Sequence, residues 1–221
     1  FELLDGATRI DLVASNIEKM TVLEPGATEP KALTVGDDSD PYLWFNVQKA
    51  AGDYKYTVIT KEGVTYVATL SWTAPASVDA TKTGDPAYNE ERGNWYQLYT
   101  VQVDVTSEDS KVYQIKPDGT ISELTVLADN DSHLNIWFRL YGTDGEQQEG
   151  EHIFLIKKGE TWSKAVINYG HAQAAWNDTG NVGTHTIDGT DYVFQGFELL
   201  DGATRIDLVA SNIEKMTVLE P

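Results

Sequence analysis

The chain has 221 residues, no cysteine, and 35 acidic against 16 basic side chains, for a formal net charge of −19. That composition leaves no disulfide framework, thiolate metal site or cysteine nucleophile, and it argues against a nucleic-acid partner, because phosphate contacts need clustered Lys and Arg. No apolar run approaches the ~18 residues of a membrane span, while the apolar and aromatic content suffices to bury a core.

The first element in chain order is a duplication. Residues 1–25, from Phe1 to Pro25, recur letter for letter at 197–221, a period of 196 residues. The simplest reading is a window on a longer tandem array; deliberate duplication would give the same identity. Within these 25 residues, Arg9–Val13 and Glu18–Leu23 read as two strands around the polar loop Ala14-Ser15-Asn16.

A fainter repeat lies inside the period and favours a natural array, since its halves have diverged. Leu33-Thr34-Val35, the acidic run Asp37-Asp38-Ser39-Asp40 and Trp44-Phe45 are echoed by Leu124-Thr125-Val126, Asp129-Asn130-Asp131-Ser132 and Trp137-Phe138. Pro25 to Pro117 is 92 residues and Pro117 to Pro221 is 104. The expected organisation is therefore residues 1–25 as the C-terminal hairpin of a preceding unit, 26–117 as one β-sandwich and 118–221 as a second. In that reading the ordinary covalent connection supplies the strands of residues 1–25. The alternative is that they complete a sandwich of a neighbouring molecule.

Period-2 alternation predicts strands at Tyr42–Val47, Tyr54–Thr60, Thr65–Trp72, Tyr96–Val105, Lys111–Lys116, Leu134–Tyr141, Trp162–Asn168 and Tyr192–Leu199. His152–Ile156 reads as a strand buried on both faces. Asp5-Gly6, Glu62-Gly63, Pro117-Asp118-Gly119, Asp144-Gly145 and Asp188-Gly189 punctuate them as turns. The phase puts Leu43, Phe45, Val47, Val58, Val67, Leu98, Ile136, Phe138 and Leu140 in the core, and Trp44 and Trp137 on the outer face. Trp72, Trp95, Trp162 and Trp176 read as core or loop anchors. Short strands in units of about 100 residues are the scale of an immunoglobulin-like sandwich, so the expected fold class is all-β, two tandem immunoglobulin-like antiparallel sandwiches.

The 196-residue period, the Thr/Val/Tyr-rich strands, the acidity and the lack of cysteine resemble the tandem immunoglobulin-like repeats of microbial surface proteins: adhesin stalks, surface-layer sheaths and extracellular fibres. The resemblance implies an extracellular or cell-surface protein that acts through length and contact with neighbouring copies, and not an enzyme. The other functional class is an adhesive module that binds carbohydrate through outward Trp44 and Trp137. Asp37, Asp38, Asp40, Asp129 and Asp131 offer hard oxygen donors of the kind Ca²⁺ takes; solvated turns are the plainer account. The sequons place Asn130 and Asn177 as glycan acceptors in loops. His133, His152, His171 and His185 fit no zinc spacing, and no nucleophile, phosphate-loop or dinucleotide motif is present.

Overall fold

Strands are the only regular secondary structure among the described residues. The computed structural model describes all residues except 127–132, 142–147, 171–173, 212, 214–215 and 217–221. Chain contacts divide the protein into two compact units, Phe1–Asn168 and Tyr169–Pro221.

The first unit begins with a small hairpin, β1 (Leu3–Asp5) and β2 (Thr8–Ile10), paired Leu3 to Ile10 around Asp5-Gly6. It continues with β3 (Ile17–Leu23), β4 (Lys31–Leu33), β5 (Gly52–Thr60) and β6 (Thr65–Trp72), which form one sheet in the order β4-β3-β5-β6. β5 alternates cleanly, burying Tyr54, Tyr56, Val58 and Thr60. β3 buries Ile17, Met20 and Val22, and the change of phase after Ile17 coincides with a register shift between Ile17 and Lys19. Leu43 and Phe45 pack from the side onto these clusters.

Two further sheets complete the same unit. β8 (Ala80–Asn89), β9 (Asn94–Val101) and β12 (Leu134–Tyr141) form a three-stranded sheet in the order β12-β9-β8, after the short β7 (Ala76–Ser77). β10 (Ser110–Ile115), β11 (Ile121–Leu124), β13 (Gly150–Lys158) and β14 (Thr161–Tyr169) form the other, in the order β11-β10-β13-β14, with β7 parallel to β14 at its edge. β13 buries His152, Phe154, Leu155 and Ile156 in near-continuous succession, as a strand covered on both faces must.

The sheet β4-β3-β5-β6 and the sheet β11-β10-β13-β14 follow the same strand order. Met20, Thr21, Val22 and Leu23 face Val58, Thr57, Tyr56 and Lys55. Val112, Tyr113, Gln114 and Ile115 face Ile156, Leu155, Phe154 and Ile153. The positions correspond one for one, so the internal repeat is a repeat of register. A one-turn approach to the strand recurs as well: the N–H of Ile17 donates to Val13 O at 2.9 Å, that of Ser110 to Thr106 O at 3.1 Å and that of Ile213 to Val209 O at 2.9 Å.

The second unit holds β15 (Ala175–Ile187), β16 (Thr190–Asp201) and β17 (Thr204–Ile206) in one antiparallel sheet. The β16–β17 pairing, Leu199 to Ile206 through Asp201 to Thr204, repeats β1–β2 with the same partners 196 positions on. Identical sequence therefore folds identically at this local level.

Several expectations change. Arg9–Val13 and Glu18–Leu23 do not pair; β2 pairs back on β1, and β3 lies between β4 and β5. Residues 1–25 thus supply an inner strand to the sheet built from the residues after them. The junctions expected at 25/26 and 117/118 fall at hairpin turns, β3–β4 and β10–β11, between hydrogen-bonded strands. Val67 is 58% exposed, because the inward residues of β6 are Tyr66, Ala68, Leu70 and Trp72. Tyr42–Val47 joins no ladder among the described residues. β8 and β15 escaped prediction because both are edge strands with Gly-containing register shifts, Thr83 to Ala87 and Asp178 to Val182, which interrupt any alternation.

Candidate functional site

β12 decides the placement of the two tryptophans. Along it Leu134, Ile136 and Phe138 are buried, Phe138 to 1% exposure, while Trp137 faces outward. Phe138 is locked by edge-on contacts to Tyr99 at 5.2 Å and His152 at 5.0 Å. The expected phase of this strand is the observed one.

Trp44 holds the corresponding place in the first sheet, but among the described residues 42–47 has no neighbouring strand there. Its backbone pairs instead with Phe1. The N–H of Leu43 donates to Phe1 O, and the Phe1 amino group donates to Leu43 O, each at 2.9 Å. Trp44 is 79% exposed and its indole N–H donates to Asp40 Oδ2. Beneath it Phe45 packs against Tyr54 and Trp72, each at 4.9 Å. Trp44, Phe45, Trp72 and Trp162 border an open cleft of about 770 Å³. Trp137 borders a different cleft, of about 340 Å³, beside Arg92 and Asn135. The two tryptophans are equivalent by repeat and do not share a site. Trp176 is exposed, so it anchors no core.

The acidic loop closes on itself. Asp37 accepts hydrogen bonds from the Ser39 N–H and hydroxyl, and Asp38 accepts from the Ser15 N–H. These bonds hold both carboxyls below their ordinary range. Asp40 is turned to Trp44. The loop is pinned by the Ala14 N–H to Gly36 O and the Leu12 N–H to Pro41 O, at 3.0 and 3.1 Å. Among the described residues no group of three His, Asp or Glu converges as a metal site would require. Asp129, Asp131 and Asn130 lie outside the described residues. Asn177 sits in β15, not in a loop, with its amide nitrogen donating to Glu198 at 2.7 Å.

Sequence reasoning missed a buried polar pair. His152 Nδ1 lies 3.0 Å from Gln114 Nε2, and its Nε2 lies 2.6 Å from Gln148 O. An amide nitrogen only donates, so Nδ1 accepts and the ring carries its proton on Nε2. The equivalent positions in the first sheet are Val22 and Tyr54. No sequence spacing links Gln114 to His152; only the register of β10 against β13 does. No helix among the described residues is long and apolar enough to cross a membrane. No protein-family model, curated protein or solved structure matches this chain.

Proposed function

We propose that the protein is a structural repeat of an extracellular fibre, stalk or surface layer, acting through length and through contact with neighbouring copies. The observation that carries this reading is the recurrence of one four-stranded order, its inner pair in matching register over Met20–Leu23 and Val112–Ile115, with the β1–β2 pairing recurring in β16–β17. β8 to β14 supply seven strands in a three-plus-four arrangement, β12-β9-β8 and β11-β10-β13-β14. That order, with a short parallel strand beside the last one, supports an immunoglobulin-like sandwich. A net charge of −19 helps keep such a β-rich array soluble and discourages edge-to-edge pairing.

The test is to lengthen the chain genetically by one period and measure its maximum dimension by small-angle scattering, alongside force-extension unfolding. A fixed increment of length and additional unfolding events of matching size are expected. An added period that leaves the length unchanged, or adds no unfolding event, would sink the reading.

A second reading, a carbohydrate-binding module, draws on Trp44 at the mouth of the aromatic cleft with Phe45, Trp72 and Trp162. Stacking of a sugar ring on such faces is ordinary recognition chemistry. A polysaccharide panel probed with the parent, Trp44→Ala and Trp137→Ala decides it: binding by the parent and loss in Trp44→Ala supports this reading, and no binding by the parent removes it.

A further inference from the structure

We propose that the cleft between the edges of β11 and β12 binds a small hydroxylated aromatic carboxylate. Arg92 holds its anionic end, Trp137 stacks on its ring, and the Gln114 carbonyl accepts from its hydroxyl. The site does not rest on the repeat reading above, because every group it uses lies between Arg92 and Phe138.

Among the described residues β12 is the outermost strand of one sheet and β11 of the other. The cleft of about 340 Å³ opens beside both, a volume in the range of small-molecule sites. Both faces of β12 border it, with Ile136 and Phe138 from the buried face and Asn135 and Trp137 from the exposed one. Val112 and Gln114 border it from the buried face of β10. Gln114 breaks an apolar pattern: its counterpart in the first sheet is Val22, and its own register partner is Phe154. A buried amide costs stability unless each of its polar atoms is bonded. Gln114 is 7% exposed, and its nitrogen donates to His152 Nδ1 at 3.0 Å. Among the described residues no donor reaches its carbonyl oxygen. The bond to His152 therefore leaves an acceptor over, on a side chain that borders the cleft, and an O–H from a ligand would complete it.

Charge fixes the other end of the ligand. Arg92, in the turn between β8 and β9, is the one charged residue among the described residues that border the cleft. Glu90 and Glu91 precede it, yet its guanidinium makes no ion pair and no hydrogen bond with any described residue. Arg9 and Arg205, by contrast, each hold an aspartate at 2.7 Å. An arginine left open in a chain of 35 acidic and 16 basic residues suits a carboxylate, which it can take through two parallel hydrogen bonds. Trp137 is 54% exposed and offers a face to a flat ring. Val112, Ile136 and Phe138 cannot satisfy the hydroxyls that surround a sugar ring, so the body of the ligand is aromatic and its polar groups lie at its two ends. The first sheet carries Val22 and Tyr42 where this half carries Gln114 and Asn135, so the site belongs to one half of the repeat.

Isothermal titration of the full chain at neutral pH with para-hydroxycinnamate tests the site, and saturable binding is expected. Arg92→Gln, at an exposed position, should weaken binding by about tenfold or more, as loss of a charge-assisted bond does, with the circular dichroism spectrum unchanged. The uncharged methyl ester should bind the parent as weakly as the acid binds Arg92→Gln. Cinnamate, which lacks the hydroxyl, should bind the parent about threefold to tenfold more weakly than para-hydroxycinnamate, the worth of one neutral hydrogen bond. Gln114→Leu should abolish that preference while both acids still bind. If Gln114→Leu does not fold, the comparison of the two acids on the parent carries the same test. No saturable binding by the parent, equal affinity for the acid and its methyl ester, equal affinity for the two acids, full affinity in Arg92→Gln, or a preference for glucuronate over para-hydroxycinnamate overturns the proposal.

Discussion

Phe138 shows how much one side chain settles. It is almost fully buried among Tyr99, His152 and Phe154, and truncation would leave a cavity that a rigid sheet closes poorly. Phe138→Ala is expected to lower stability by about 3–5 kcal/mol in denaturant titration; a loss below about 1 kcal/mol would mean the core does not depend on this ring. Gly52 is a second such point. Its φ is 145°, a region L-residues rarely adopt, and an added Cβ would lie 2.7 Å from the Pro25 ring. Gly150 meets Pro117 in the same way at 3.0 Å, so both halves of the repeat set a proline at the hairpin turn against a glycine at the start of the inner strand. Gly52→Ala should cost about 1–3 kcal/mol by the same measurement, and an unchanged unfolding midpoint would contradict the close approach.

Between elements, β3 is the instructive case. It belongs by sequence to the duplicated segment and by structure to the sheet it shares with β4 and β5. Removing residues 1–25 takes out an inner strand, so in dilute solution the amides of β5 and β6 should lose protection from hydrogen exchange while those of β10 and β13 keep theirs. Protected β5 and β6 amides in a monomeric truncated chain would show that β3 is dispensable. The β3–β4 turn is fastened electrostatically. Glu24 takes Lys31 at 2.7 Å on one oxygen and Lys49 on the other, and these two ammonium groups hold its carboxyl down at about 2. A carboxyl depressed in the folded state contributes stability above its ordinary pKa near 4.5 and loses it as pH falls toward 2. Glu24→Gln should therefore flatten part of the acid unfolding profile between these values; a variant whose acid profile matches the parent's would remove the turn from the account.

At the scale of the molecule, the net charge sets the repulsion within and between copies. With −19 distributed over the chain, copies repel at low ionic strength. Raising salt from about 10 mM to about 150 mM shortens the screening length from ~30 to ~8 Å. The thermal midpoint should then rise by about 2–4 °C, equivalent to roughly 1 kcal/mol at this size, and sedimentation should shift toward larger species. A midpoint that falls with salt would mean attractive surface pairs outweigh the net repulsion.

The sequence by itself determined the all-β class, the 196-residue period, the outward Trp137 and the buried Phe138, because alternation and repetition are local and survive without knowledge of partners. It also placed strands at Lys111–Lys116 and Trp162–Asn168, and the observed ends differ from these by one residue. Tertiary structure decided the rest. β3 pairs with the strands C-terminal to it, and the cuts expected at 25/26 and 117/118 fall at hairpin turns. Tyr42–Val47 alternates like a strand but makes no ladder among the described residues, since a strand needs a neighbour and its backbone meets only the single residue Phe1, at Leu43, and its own following turn, at Asn46. Asp37, Asp38 and Asp40 are close in sequence yet bond to Ser39, Ser15 and Trp44, because carboxylates in a tight loop take the nearest donors. Gln114 and His152 meet only through register, 38 residues apart. Pairing between distant segments is the information a single sequence does not carry, and in this protein it decides which strands share a sheet.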